Sequence, residues 1–352
     1  MAPPFPLGSN LDPRVSPVRR TVGLQTVPLV LAMGSAVATP ANYAAYSMDN
    51  GLTFAACVVP DPAGGLFGAA FSPSLGYGIM ISATGEVFQS FDGITWTVFA
   101  GSNMANRNWQ GGVVRNSSDT LFVASSLTST IFGTSPDGQT WTERIGPAGS
   151  FGSICRACDD DRIIACGAGG IARSLDGGVT WGAITSPGDT NSDIAWRQDT
   201  DYIHVCGNTS ADAGDTYFSN DFGGNWTQQN RDAAGDPPNC NAIAIDPLRG
   251  HVYQGTSVTA PGIWRSNAGD ANNPPNSGHT RVVTDASGVG GGCRGGYIVE
   301  TDTILFPDHG GSAGFRVFRN VLSTGIWQTI DWPLLLVNTA RVRMQFLGFP
   351  TT

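Results

Sequence analysis

Ser174-Leu175-Asp176-Gly177-Gly178-Val179-Thr180-Trp181 is one copy of a stretch that recurs along the whole chain. Its best relatives are Ser90-Phe91-Asp92-Gly93-Ile94-Thr95-Trp96, Ser135-Pro136-Asp137-Gly138-Gln139-Thr140-Trp141 and Ser219-Asn220-Asp221-Phe222-Gly223-Gly224-Asn225-Trp226. Weaker copies begin at Ser47, with Asp49 and Phe54, and at Ser266, and a degenerate one runs up to Trp327. Such a stretch reads as a hairpin turn. Short Ser and Asp side chains bond nearby backbone N–H groups, and glycine supplies the positive φ that closes the turn. The aromatic residue then leaves the turn for the interior. From Ser47 to Ser266 the turn serines stand 39 to 47 residues apart, which is the period of a unit of four short strands.

The pattern resembles the Asp box of bacterial-neuraminidase repeats, found in sialidases, xyloglucan-hydrolysing glycosidases, sortilin-type receptors and photosystem assembly factors. That resemblance implies that the box joins the third and fourth strands of a β-propeller blade. Seven units imply an all-β, seven-bladed β-propeller. The box residues, Ser47, Asp49, Ser90, Asp92, Trp96, Ser135, Asp137, Trp141, Ser174, Asp176, Trp181, Ser219, Asp221, Trp226 and Trp327, are thereby expected to be structural. Functions in these families range from catalysis to scaffolding, so the box alone does not assign a chemistry.

Inner strands are expected at 68–71, 111–114, 152–155, 192–196, 241–245 and 294–299. Second strands follow at 79–82, 121–125, 163–167, 202–207, 252–255 and 304–306. Arg19-Arg20 and the apolar run 27–38 superficially resemble a twin-arginine signal, but 27–47 aligns with later units and is read as strands of the first blade. The run is too short to span a bilayer. Beyond the seventh unit, 339–347 (TARVRMQFL) alternates like a strand and is expected to close the ring on the first blade. Residues 1–24, with Pro3, Pro4, Pro6, Pro13 and Pro17, read as an extended N-terminal arm, 25–348 as the propeller and 349–352 as a C-terminal tail.

A net charge of −9, with all 19 basic residues arginine, argues against a nucleic-acid surface. The odd count of seven cysteines, set in apolar runs, suggests buried thiols. Cys155-x-x-Cys158 has no second pair of matching spacing, and Asp159-Asp160-Asp161 reads as a solvated turn, so no metal or cofactor is expected.

Catalytic residues are not legible either. Sialidases carry an early Phe/Tyr-Arg-Ile-Pro motif that is absent here, and only three Glu exist, Glu86, Glu143 and Glu300. Glu86 and Glu143 read as solvated, and Glu300 with Asp302 follows an inner strand, where approach to a channel mouth and an ordinary turn account for them equally well. The expected function is that of a non-enzymatic structural propeller, held by its arm among other protein subunits of a large homo- or hetero-oligomeric assembly. A bacteriophage virion released by lysis is the expected setting. The alternative is a secreted carbohydrate-binding propeller with Trp109, Trp196, Trp264 or Trp332 stacking on a surface glycan, and a secreted glycosidase ranks below both.

Overall fold

The computed structural model describes residues 26–34, 43–155, 159–185, 191–197, 200–207, 216–229, 240–256, 262–266, 279–284, 296–298, 302–307, 316–331 and 342–350. Among these there is no α-helix, only one short 3₁₀ turn at Asp159–Asp161. The expected arm lies outside the described residues, as do 351–352.

The described strands form seven four-stranded antiparallel sheets. The first runs Val342–Pro350, Thr26–Gly34, Ala44–Ser47, Ala55–Ala56 in spatial order. The second is Leu66–Ser72, Tyr77–Ser82, Val87–Ser90, Thr97–Val98. The third is Gly112–Arg115, Phe122–Ser125, Ile131–Ser135, Thr142–Ile145. The fourth is Ser153–Cys155, Ile163–Gly167, Gly170–Ser174, Gly182–Ile184. The fifth is Asn191–Trp196, Ile203–Gly207, Thr216–Ser219, Thr227–Gln229. The sixth is Cys240–Ile245, Val252–Thr256, Gly262–Ser266, His279–Thr284. The seventh is Gly296–Ile298, Thr303–Pro307, Arg316–Val321, Ile326–Asp331.

Among the described strands, six of the sheets are meanders, so their first-to-second and third-to-fourth turns share one end, and the first sheet breaks chain order. Its first strand comes from the C-terminus and pairs along its whole length with Thr26–Gly34, from Thr26 opposite Pro350 to Gly34 opposite Val342. The strand runs on through Phe349 and Pro350.

Second strands are buried on both faces, as in Ile163–Gly167 and Val252–Thr256, whereas fourth strands such as Thr142–Ile145 are largely exposed. The core therefore lies between sheets, and the box aromatics fill it. Trp96 packs with Tyr43 and Ala44 of the sheet before it, and Trp141 with Ile79, Ile81 and Val87. Trp181 stacks on Phe132 at 3.7 Å, and Trp226 joins Ile164 and Ile171. Trp327 meets the edge of Tyr253 at 6.1 Å. In the first sheet Phe54 packs with Leu305, Phe306, Val317 and Phe318 of the seventh. A buried aromatic of this size removes about 150–250 Å² from water, worth about 4–6 kcal/mol before entropy is charged against it.

Candidate functional site

Five box turns share one hydrogen-bonding scheme. The buried Ser47, Ser90, Ser135, Ser174 and Ser219 each donate Oγ–H to the carboxylate two residues on, at 2.7–3.0 Å. The same Oγ accepts a glycine amide, from Gly51, Gly93, Gly138, Gly178 or Gly223, at 2.7–2.8 Å. Each carboxylate accepts the amide of Thr53, Thr95, Thr140, Thr180 or Asn225 at 2.7–2.8 Å. The indoles of Trp96, Trp141 and Trp181 donate back to the turn carbonyls of Gly93, Gly138 and Gly178 at 2.8–3.0 Å. The weaker copy at Ser266 differs. Its Oγ accepts the amide of Val252 at 3.0 Å, and the stretch that follows lies outside the described residues. Before Trp327 the turn has no Ser-Asp pair and closes through Gly325 with φ of 68°.

These contacts set the charge state of the turns. For Asp49, Asp92, Asp137 and Asp176 partial burial opposes the charge, but the accepted hydrogen bonds outweigh it and hold the carboxyls below their usual range. Asp221, held mainly by the Asn225 amide, is pulled down to about 2. A carboxyl depressed in the folded state stabilises the fold above its unfolded pKa, and that stability is lost as pH falls through the folded value. The thermal midpoint is therefore expected to drop between roughly pH 4 and pH 2. An Asp221→Asn variant should show a shallower drop over that window in a melt-versus-pH series. Equal slopes for variant and parent would refute the assignment.

Beside the boxes lies a second repeated device that sequence reasoning missed. An aspartate near the end of several first-to-second turns grips the corresponding turn of the sheet before it. Asp119 accepts Ser72 Oγ at 2.8 Å and the Ser74 amide at 2.7 Å, and pairs with Arg115 at 2.6 Å. Asp161 accepts Ser117 Oγ at 3.0 Å and the Ser118 amide at 2.8 Å. Asp201 pairs with Arg162 at 2.6 Å, and Asp302 takes both guanidinium nitrogens of Arg249 at 2.8 and 2.5 Å. Between the fifth and sixth sheets Arg197 Nε donates to the carbonyl of Pro247 at 3.3 Å. Asp119, Asp161 and Asp302 adopt φ of 54°, 59° and 49°, a conformation that Asp tolerates better than most residues. The backbone carbonyls of Asp161 and Asp201 also receive the box amides of Gly177 and Phe222, tying the two kinds of turn together. Asp159-Asp160-Asp161, expected as a solvated turn, is a turn, and its Asp161 also lies against the serine-rich turn of the third sheet.

Among the described residues two carboxylates are enclosed. Asp193, 2% exposed, receives Ser153 Oγ of the fourth sheet at 3.0 Å and the Ile243 amide of the sixth at 3.1 Å, so one side chain links three sheets. Asp246 receives the amides of Leu248 and Arg249 and the Arg249 guanidinium.

Two of the glutamates, read as solvated, lie at the surface and have partners there. Glu143 pairs with Arg107 through both oxygens at 2.6 and 2.9 Å, and Glu86 receives the amide of Ala63 at 2.5 Å. Glu300 lies outside the described residues. Of the aromatics considered for sugar stacking, Trp109 and Trp264 are buried, and Trp196 is half-buried with its indole on the carbonyl of Thr200. Trp332 is outside the described residues. No group of three metal-ligating side chains occurs among the described residues, and Cys158 is not among them.

No protein-family profile matches the sequence, and no curated protein does. Solved structures match its fold. An ancestral GH74 enzyme superposes with a TM-score of 0.58 at 13% identity, over 85% of this chain and 46% of that one. The GH74 xyloglucanase from Xanthomonas campestris gives 0.55 at 15% identity, over 75% and 45%. YCF48 bound to D1 peptide gives 0.54 at 14% identity, over 75% and 80%. The chain thus has a fold of the β-propeller proteins. It spans less than half the length of the GH74 enzymes it matches, and at these identities the likeness is one of fold alone.

Proposed function

We propose that this chain is a non-enzymatic structural propeller, seven blades in a ring closed by Val342–Pro350, that holds a place among the protein subunits of a large assembly. The observation that carries this reading is the employment of its carboxylates. Asp49, Asp92, Asp137, Asp176 and Asp221 brace turns, while Asp119, Asp161, Asp193, Asp201 and Asp302 tie sheet to sheet. Glycoside cleavage by a carboxyl pair needs one acid held protonated, and the box carboxyls are shifted the opposite way.

Two contacts support the closed ring. Phe54 of the first sheet packs into the seventh just as each box tryptophan packs into its predecessor. Arg319 of the seventh, 7% exposed, donates Nε to the carbonyl of Asn50 in the first box at 2.8 Å and Nη1 to Gln328 at 2.8 Å.

The assembly that best suits these features is a bacteriophage particle, with the proline-rich residues 1–24 as the locking arm. The structure of YCF48 with D1 peptide supports the reading to the extent that a protein of this fold binds a peptide. The test is the mass and composition of the native particle, by light scattering and mass spectrometry, with and without residues 1–24. The full chain is expected in a multi-protein particle from which the truncated chain is released. Monomers of equal mass in both preparations would overturn the proposal.

A further inference from the structure

Where the fifth and sixth sheets meet, two thiols face each other. Cys206 lies on the second strand of the fifth sheet, opposite Asp193. Cys240 opens the first strand of the sixth, where Asn241 is the extra residue of a bulge between Cys240 and Ala242. The register brings them together, because Asp193 holds the amide of Ile243, three residues beyond Cys240. Both cysteines are fully buried, unbridged and packed in one cluster with Tyr202, Ile243, Ile245 and Val252. Cys240 donates its thiol hydrogen to the carbonyl of Ala242 at 3.4 Å, and, after burial itself, Cys240 is among the neighbours that push the Cys206 thiol upward.

We propose that Cys206 and Cys240 are a dithiol–disulfide couple which, once oxidised, staples the fifth sheet to the sixth. A disulfide needs Cβ atoms about 3.5–4.5 Å apart, and two thiols buried in one cluster, on strands tied together by Asp193, are placed to reach that by a side-chain adjustment. The oxidant is a small-molecule disulfide. One cysteine thiolate attacks it, expels half as a thiol and leaves a mixed disulfide on the protein. The second cysteine displaces the other half and forms the Cys206–Cys240 bond. In total the two protein thiols give up two protons and two electrons as their S–S bond forms, and the small disulfide, its own S–S bond broken, takes up both and leaves as two thiols. Burial pushes the Cys206 thiol well above its ordinary range, so attack waits on opening of the seam, and the bond then prevents further opening.

Tryptic mapping after incubation with cystamine and a maleimide quench tests this directly. Cleavage after Arg197, Arg231 and Arg249 puts Cys206 on peptide 198–231 and Cys240 on 232–249, each without another cysteine. The expected product is the linked pair of these peptides, lighter by two hydrogens than their sum and split by reductant. It should be lost in Cys206→Ser and kept in Cys57→Ser, and the oxidised protein should melt several degrees higher. Three outcomes would overturn the proposal. They are cystamine adducts on both cysteines without a link, a greater yield of a link to another cysteine, and unmodified thiols after the amides of 203–207 have exchanged with solvent.

Discussion

Deleting Val342–Pro350 is expected to abolish cooperative folding. This strand pairs with all nine residues of Thr26–Gly34, and it also lies against Leu66–Ser72 of the second sheet and Gly296–Ile298 and Thr303–Pro307 of the seventh. Its removal takes the first strand out of one sheet and separates two others. The partner left behind, TVPLVLAMG, becomes a nine-residue apolar edge, the kind of edge that pairs with other chains. A pairing of this length, with contacts to two further sheets, is worth more than the roughly 5–15 kcal/mol by which a domain is stable. The truncated chain should therefore aggregate or show no sharp thermal transition by circular dichroism. Because Thr26 lies opposite Pro350, a permuted chain with residues 342–350 joined ahead of residue 26 through a short turn should fold. A truncated chain that melts within a degree or two of the parent would refute closure of the ring by this strand.

Much of this architecture was legible because the box turn is defined by short-range hydrogen bonds. Ser174, Asp176 and Gly178 all find partners within four residues, so spacing alone locates the turn and fixes the strands on either side. The expected second strand at 163–167 coincides with Ile163–Gly167. The C-terminal strand expected at 339–347 lies at Val342–Pro350, paired with the first strand of the chain. Its alternation was visible, but its register depends on Thr26–Gly34, more than three hundred residues away. The bridging aspartates were not legible for a related reason. Asp119, Asp161, Asp201 and Asp302 all precede a second strand, yet they grip serines in two cases and arginines in the other two. A device whose partner changes from unit to unit leaves no repeated motif, although the recurring aspartate one to three residues before that strand was a usable signal. Asp193 and the thiols of Cys206 and Cys240 meet across sheets, where sequence spacing carries no register.

Gly68→Ala is expected to cost about 3 kcal/mol or more, the upper range for overpacking, although it adds a single methyl group. Gly68 sits in the first strand of the second sheet, just past a bulge between Leu66 and Gly68. A Cβ there would stand 2.4 Å from Val113 N, 2.7 Å from Gly112 Cα and 2.9 Å from Gly112 C, in the first strand of the third sheet. All three atoms are backbone, so no rotamer change relieves the contact and the two sheets must part where first strands converge. Gly76 provides the contrast. It has φ of 73° with no atom within 4 Å of a Cβ, so Gly76→Ala bears only the left-handed penalty of about 1–2 kcal/mol. Denaturant midpoints of the two variants separate crowding from conformational strain. A Gly68→Ala midpoint well below that of Gly76→Ala establishes that close approach of neighbouring first strands, and not turn geometry, makes glycine necessary there. If the Gly68 variant costs no more than the Gly76 variant, the first strands have room to yield.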